Sequence, residues 1–234
     1  MNVLDFIILA VLAIFVLSGI HKGFVYTSVS ILFYVICMAF ALIMMPMISD
    51  LVESNETVFN AMLYYTEGSE NIYDVEYSKK DIAEISNAEL AVIYAQSKVA
   101  FPMDERIAAN VEDAAFDQRG IHSLGDYFNQ TMVIVTINIA VFLILFAALR
   151  IVLGFIIGWF NYAYPLPLLK KLEIPAAAGV GFIRGILAVF LIFMICPVVL
   201  TVLPFDVVSE LVENSKLAHF FYYSNFILKM IPGV

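Results

Sequence analysis

The 234-residue chain predicts an all-α polytopic membrane protein: four transmembrane helices, a helical insertion outside the membrane and an amphipathic C-terminal helix. Three observations carry that prediction. Hydrophobic residues make up 62% of the chain and charged residues 14%, against roughly 45–50% and 25% in ordinary globular domains. Four apolar runs approach or exceed the ~20 residues that an α-helix needs to cross the ~30 Å hydrocarbon core of a bilayer. The negative charge is confined to one stretch: residues 50–126 hold 16 Asp/Glu and 5 Lys/Arg, while the rest of the chain holds 5 and 7.

The first hairpin is assigned to residues 1–48. Val3 to Ile20 forms the first run. It lacks the basic start and small-residue cleavage pattern of a secretory signal, so it is expected to be a retained span. Asp5 is expected near its hydrated outer end, with a polar contact inside the bundle as the alternative, because a carboxylate within the membrane is costly. Gly19-Ile20-His21-Lys22-Gly23 makes a short connection, and Lys22 assigns it to the cytoplasmic side. Phe24 to about Met45 forms the second span, and Pro46 is expected to mark its exit. Tyr26, Thr27, Ser28, Ser30 and Tyr34 are read as contacts to a neighbouring helix.

Residues 49–130 form the acidic insertion. Asp81 and Glu84 resemble a helix start. Ile82, Ile85, Leu90, Ile93, Tyr94 and Val99 approximate one helix face, broken at Pro102. A second helix is expected from Asp104 to Phe116, ending near Gly120. Acidic loops translocate without penalty, which places this segment outside. No calcium-loop pattern occurs, so the carboxylates are read as a solvated face. The acidity also argues against nucleic acid as a partner.

Residues 131–204 carry the second hairpin. Thr131 to about Leu149 is the third span, with Arg150 at its cytoplasmic end. Two geometries fit the apolar residues 151–160: one long tilted helix carrying Arg150 within the membrane, or a stop near Arg150 followed by an interfacial or re-entrant segment. Gly154 and Gly158 form a small-xxx-small pattern. Trp159, Tyr162 and Tyr164 resemble interfacial aromatics, Pro165-Leu166-Pro167 forces a turn, and Lys170-Lys171 places that turn in the cytoplasm. The fourth span starts near Pro175. Ala176, Ala177, Ala178, Gly179, Gly181 and Gly185 give it a face that another backbone can approach. Arg184 lies within it, Cys196-Pro197 is expected to kink it, and Pro204 to end it. The charges together place both termini and the acidic loop outside.

Residues 205–234 form the tail. Val207, Val208, Leu211, Val212, Leu217, Phe220 and Phe221 recur at helical steps opposite Glu210, Glu213 and Asn214. This predicts an amphipathic helix in the outer interface, with Asp206 as its cap.

Catalytic chemistry is sparse. His21, His122 and His219 fall in unrelated segments without metal-ligand spacing. Cys37 and Cys196 sit singly in apolar runs and read as packing residues. No nucleophile, phosphate-loop or zinc-protease motif occurs. The expectation is a non-enzymatic protein without metal or cofactor. Its sharpest features are Arg150 and Arg184, either snorkelling to the interface or lining a polar crevice. Asn138 is read as a helix–helix hydrogen bond.

Leu4-Asp5-Phe6-Ile7-Ile8-Leu9, then Gly19-x-x-Lys22-Gly23-Phe24, then Gly181-Phe182-Ile183-Arg184-Gly185-Ile186-Leu187, in this order across four spans, resembles the colicin V production protein family of bacterial inner-membrane proteins. Asn214-Ser215-Lys216-Leu217 resembles that family's serine-containing C-terminal segment. The resemblance covers roughly positions 1–48 and 130–220. Lys22 stands where the family often has Arg, and the acidic insertion is longer than in short members. The resemblance implies a multi-pass protein of the bacterial plasma membrane. Its implied role is toxin production or export, or envelope homeostasis, through membrane protein partners. The alternative is a small homo-oligomeric channel or transporter whose hydrated path is lined by Arg150 and Arg184. The two Gly-x-x-cation-Gly elements further suggest parallel repeats, which requires the helices after Gly23 and Gly185 to run in the same direction.

Overall fold

The chain is an all-α polytopic membrane protein. A computed structural model describes residues 2–159, 172–202 and 206–234. Among the described residues, four stretches are helices long and apolar enough to cross a membrane: Val3–Lys22, Phe24–Glu53, Leu124–Ile156 and Glu173–Val202, with mean hydropathy of 2.6 to 2.8. The expected features at Tyr162, Tyr164, Pro165-Leu166-Pro167, Lys170-Lys171 and Pro204 lie outside the described residues, as does the side chain of Trp159.

Helix α1 (Val3–Lys22) starts on a capping box. The Asn2 side chain accepts from the backbone N–H of Leu4 and Asp5, and Asp5 accepts from the Asn2 N–H, which satisfies amides that a helix start otherwise leaves unpaired. Gly23, at φ 81° and ψ 167°, ends it. The chain then folds back, since Thr27 Oγ1 donates to the carbonyl of Gly19, eight positions earlier, at 3.3 Å.

Helix α2 (Phe24–Glu53) is longer than expected, because Pro46 lies inside it and not at its exit. Proline forfeits one hydrogen bond of the helix ladder without necessarily stopping it. Helix α7 (Leu124–Trp159) is 36 residues long. It chooses between the two geometries for residues 151–159: the helix runs on through Arg150. At 1.5 Å per residue α7 is about 54 Å long, well beyond the ~30 Å hydrocarbon thickness. Helix α8 (Glu173–Phe193) is separated from α9 (Ile195–Val202) by Met194 alone. The interruption falls where Pro197 withholds the N–H that Phe193 O would accept, as expected for Cys196-Pro197.

Between α2 and α7 lie α3 (Glu56–Thr66), α4 (Val75–Lys79), α5 (Asn87–Gln96) and α6 (Met103–Glu112), with short 3-10 turns after α3, α4 and α6. The segment is more finely divided than its apolar pattern predicts. Asp81 caps only a 3-10 turn, accepting from Ala83 N–H. Ser86 and Glu89 form the capping box that starts α5. Pro102 precedes α6 and does not terminate α5. The tail is amphipathic and helical, divided into α10 (Asp206–Glu213) and α11 (Lys216–Tyr223) by Asn214 and Ser215. Its apolar face packs on protein: Val212, Ala218, Phe221 and Tyr222 are buried, and Phe190 of α8 meets Phe221 edge-on at 5.1 Å.

Two compact units result. The first comprises residues 1–45, 142–194 and 206–227, the second residues 46–141, 195–205 and 228–234. In the second unit the early turns of α7 supply the core, with Leu124, Tyr127, Phe128, Val133 and Ile139 buried. Its polar interior ties in the C-terminal strand of chain. Asn110 donates to Thr131 Oγ1 at 2.8 Å and to Gly233 O at 2.9 Å, and Arg106 donates to Lys229 O. Asn138 donates to Pro232 O at 3.1 Å, so it fastens the C-terminus and does not bridge two helices.

Candidate functional site

The first unit gathers most of the residues that the sequence singles out. Its basis is a glycine seam between α1 and α8. A Cβ placed on Gly19 would stand 2.6 Å from Ala177 O and 3.1 Å from Gly181 Cα. One on Gly181 would stand 2.7 Å from Phe15 O, and one on Gly185 would meet Leu12 and Phe15 side chains at 3.1 Å. As the α8 number rises from 177 to 185, the α1 number falls from 19 to 12, so these helices are antiparallel. Without side chains at the contact the two backbones touch, which multiplies dispersion contacts and is how helices associate in lipid. Gly179 does not belong to this face: it is exposed, with no atom near its absent Cβ. Gly154 and Gly158 likewise have nothing within 4 Å.

Arginine follows directly on the seam. Arg184 is 6% exposed. Its Nη1 donates to Ser30 Oγ of α2 at 3.2 Å and its Nη2 to Ser18 Oγ of α1 at 3.2 Å, while its guanidinium lies 4.9 Å from the centre of the Phe15 ring. Arg150 of α7 comes to the same serine: its Nη2 donates to Ser30 Oγ at 3.1 Å, and its guanidinium lies 4.9 Å from the Tyr34 ring. Each arginine is thus held by a hydroxyl and an aromatic ring one turn apart on a neighbouring helix, Ser18 with Phe15 and Ser30 with Tyr34.

The electrostatics of this cluster are one-sided. Two cations share a single hydroxyl, and among the described residues no carboxylate pairs with either. Their two Nη atoms can be no more than 6.3 Å apart, since both bind Ser30 Oγ. Charges at such separations repel by about 2–3 kcal/mol at an effective dielectric of 20. Arg184 Nε is buried without an acceptor. A guanidinium has five N–H donors, and Arg184 uses two while Arg150 uses one among the described residues.

The other predicted residues sit apart from the arginines. Lys22 is exposed, with its ammonium 4.8 Å from the Tyr26 ring. Gly23 makes the turn. Asp5 is fully buried and not hydrated at an interface: it accepts from Ser215 Oγ at 2.6 Å and from Leu217 N–H at 2.9 Å. Ser215 in turn caps α11, accepting from Ala218 N–H at 3.0 Å. Asn2 Nδ2 adds a bond to Leu211 O at 2.7 Å. Asp5 and Ser215, 210 positions apart, therefore form one clasp that holds the tail to α1. Its physical reason is that a buried carboxylate must be supplied with donors, and the tail brings them.

Sequence reasoning missed the partners. The sequence marks Ser30 only as a contact to a neighbouring helix and does not mark Ser18 at all. The available signal was the i, i+4 pairing of Ser30 with Tyr34 and the i, i+3 pairing of Phe15 with Ser18 on otherwise apolar helices.

Shallow hollows lie among the described residues of the second unit. One, about 420 Å³, is lined by Asp50, Glu53, Phe59 and Arg119. Another, about 550 Å³, lies between α5 and α6 and is lined by Leu90, Tyr94, Val111 and Glu112. Burial, with Glu112 adding to it, pushes the Tyr94 hydroxyl up to about 12. Among the described residues no group of His, Cys, Asp and Glu has a metal-binding arrangement. No protein-family model, curated protein or solved structure matches the chain.

Proposed function

We propose that the chain is a non-enzymatic protein of a bacterial inner membrane that supports toxin production or envelope homeostasis through contacts with other membrane proteins. One observation supports this best. Asp5, Gly19, Gly181, Gly185 and Ser215, five of the residues that carry the resemblance to the colicin V production family, are spent on holding α1, α8 and the tail together. They form a packing seam and a clasp, arrangements that stabilise a scaffold. The glycine face is filled from within the chain, which leaves the exposed helices of the acidic insertion as the contact surface for partners. The orientation with both termini and that insertion outside belongs to the same proposal.

The unpaired arginines favour a second reading, an oligomeric channel or transporter in which Arg150 and Arg184 line a hydrated path. One experiment separates the two. Arg150→Cys and Arg184→Cys are made singly in a Cys37→Ala, Cys196→Ala background and treated in intact membranes with an impermeant thiol reagent from each side. Labelling from the cytoplasmic side alone, with activity surviving in Arg184→Gln, is the result expected of the partner protein. Labelling from both sides, with transport abolished in a folded Arg184→Gln variant, would replace that reading with the channel.

A further inference from the structure

We infer that Arg150 and Arg184 form a binding site for a phosphate group, and that the phosphate of an anionic glycerophospholipid is the form that fits it. The inference is independent of whether the protein acts through partners.

The charge argument comes first. Two guanidinium groups converge on Ser30 Oγ inside an apolar bundle, and among the described residues nothing neutralises them. Cations within a membrane are stable when paired or hydrated. Serine hydroxyls and aromatic faces hold the groups in place but bring no negative charge. Most of the guanidinium N–H donors remain uncommitted, and Arg184 Nε is buried without an acceptor. The planar donor fork of arginine matches the oxygens of a phosphate, and two forks side by side suit one doubly bridging phosphate. A lipid phosphodiester presents two charged oxygens, one for each fork, and its ester oxygens are further acceptors for the remaining N–H groups.

Position selects the source. Ser18 is four residues before Lys22, and Ser30 is seven after Gly23, so the site lies roughly 6–10 Å from the turn at that end of the bundle. That depth corresponds to the boundary between headgroups and acyl chains, which long cationic side chains reach readily. Arg150 is only half-buried, so the site is open to the outside of the bundle. Each member of the cluster is also flanked by an exposed apolar side chain: Leu17 beside Ser18, Ile151 beside Arg150 and Ile183 beside Arg184, with Leu32 two positions after Ser30. Acyl chains cover such surface, whereas a free phosphate leaves it bare.

The test uses the full chain, purified in an uncharged detergent and freed of lipid. Phosphatidylglycerol, phosphatidylcholine and inorganic phosphate are titrated separately, with thermal unfolding and the number of retained lipids by native mass spectrometry as readouts. Phosphatidylglycerol is expected to raise the unfolding temperature and to remain bound, more strongly than phosphatidylcholine. Because Arg184 supports the fold, the half-buried Arg150 carries the comparison. Arg150→Gln is expected to weaken the lipid effect about tenfold, the loss of one charge-assisted pair. Arg150→Lys should fall between, keeping the charge and losing the fork, and Lys79→Gln in the second unit should match the unaltered chain. A shift given by inorganic phosphate and abolished in Arg150→Gln would keep the phosphate site and assign it to a soluble ligand. The inference is overturned if no probe shifts the unfolding temperature, or if Arg150→Gln responds as the unaltered chain does.

Discussion

Gly19 to Gly23 and Gly181 to Gly185 share one pattern: glycine, two residues, a cation, glycine. They fold differently. In the first, the second glycine leaves the helix at φ 81° and turns the chain, and Lys22 stands exposed. In the second, α8 runs straight through, and Arg184 is buried against Ser18 and Ser30. Their leading glycines nevertheless do the same thing to each other, since Cβ atoms on Gly19 and Gly181 would stand 3.1 and 3.4 Å from the opposite Cα. The two elements are partners across one seam. Glycine serves there in two distinct ways, as space for a backbone and as freedom of a dihedral angle, and a sequence pattern does not distinguish them. The direction test for parallel repeats is met within the first unit: α2 folds back along α1, and α8 is antiparallel to α1. The different local structures at Gly23 and Gly185 mean that the short motif itself is not repeated in three dimensions.

The largest effect should come from filling that space. Gly181→Val would place atoms 2.7 Å from Phe15 O, a backbone atom that cannot swing aside, so α1 and α8 must separate. The expected cost exceeds about 3 kcal/mol, at the upper end of overpacking. Folded yield and thermal unfolding in detergent would report it. Gly154→Val, with nothing within 4 Å, is the matched control and should change little. Equal damage in both variants would mean that valine in these helices, and not the seam, is responsible.

The cations come next. Arg184→Ala removes two hydrogen bonds and the contact with Phe15, leaving Ser18 without its arginine and Ser30 with Arg150 alone. We expect a loss of about 2 kcal/mol, tempered by relief of the repulsion from Arg150. Lys22→Ala touches only an exposed group over Tyr26 and should stay within about 0.5 kcal/mol. Parallel unfolding curves for the two variants would show that position in the pattern, and not burial, sets the role of the cation.

The spans were legible because composition and run length report directly on partition between water and lipid. Helices α1 and α8 begin within two residues of where the apolar runs begin. The acidic insertion was legible as helical but not as four short helices, since Ser86 and Glu89 start α5 through a local capping box that hydrophobic periodicity does not register. The ends of α2 and α7 were missed for a different reason. Apolar length sets a minimum for a span, and helices continue past it where other residues cover them, as Leu124, Tyr127 and Phe128 are covered in the second unit. At the site, the glycine face and both arginines could be named, whereas their partners could not. A serine in an apolar run looks the same whether it packs against lipid or receives a guanidinium. The clasp between Asp5 and Ser215 spans 210 positions, and no local pattern encodes such a pairing.

The two trailing glycines should separate by mechanism. Gly23→Ala forces a side chain into a region of backbone space that is close to glycine-only, at a cost of about 1–3 kcal/mol. Gly185→Ala keeps helical dihedrals and improves helix propensity, but its methyl meets Leu12 and Phe15 side chains at 3.1 Å. Those side chains can shift by a few tenths of an ångström, so the net change should be about 1 kcal/mol or less. A D-alanine placed at 23 by semisynthesis, which accepts a positive φ, should restore the stability lost in Gly23→Ala. Failure to do so would mean that the cost of Gly23→Ala does not lie in the dihedral angles of residue 23.

The smallest effect has the opposite sign. Gly179 lies two residues before Gly181 on the same helix, yet it points away from α1 and meets nothing within 4 Å. Alanine there fills no occupied space and loses less backbone entropy on forming the helix, which is worth about 0.5–1 kcal/mol. Gly179→Ala should therefore raise the unfolding temperature by about 1–4 °C in a chain of this size. Because the gain rests on the emptiness of that face, the variant also tests what the face meets in the membrane. Should Gly179→Ala destabilise the protein in a concentration-dependent manner, a second copy must approach as closely at Gly179 as α1 does at Gly181, and the homo-oligomer would then follow from the same close-packing physics that builds the seam.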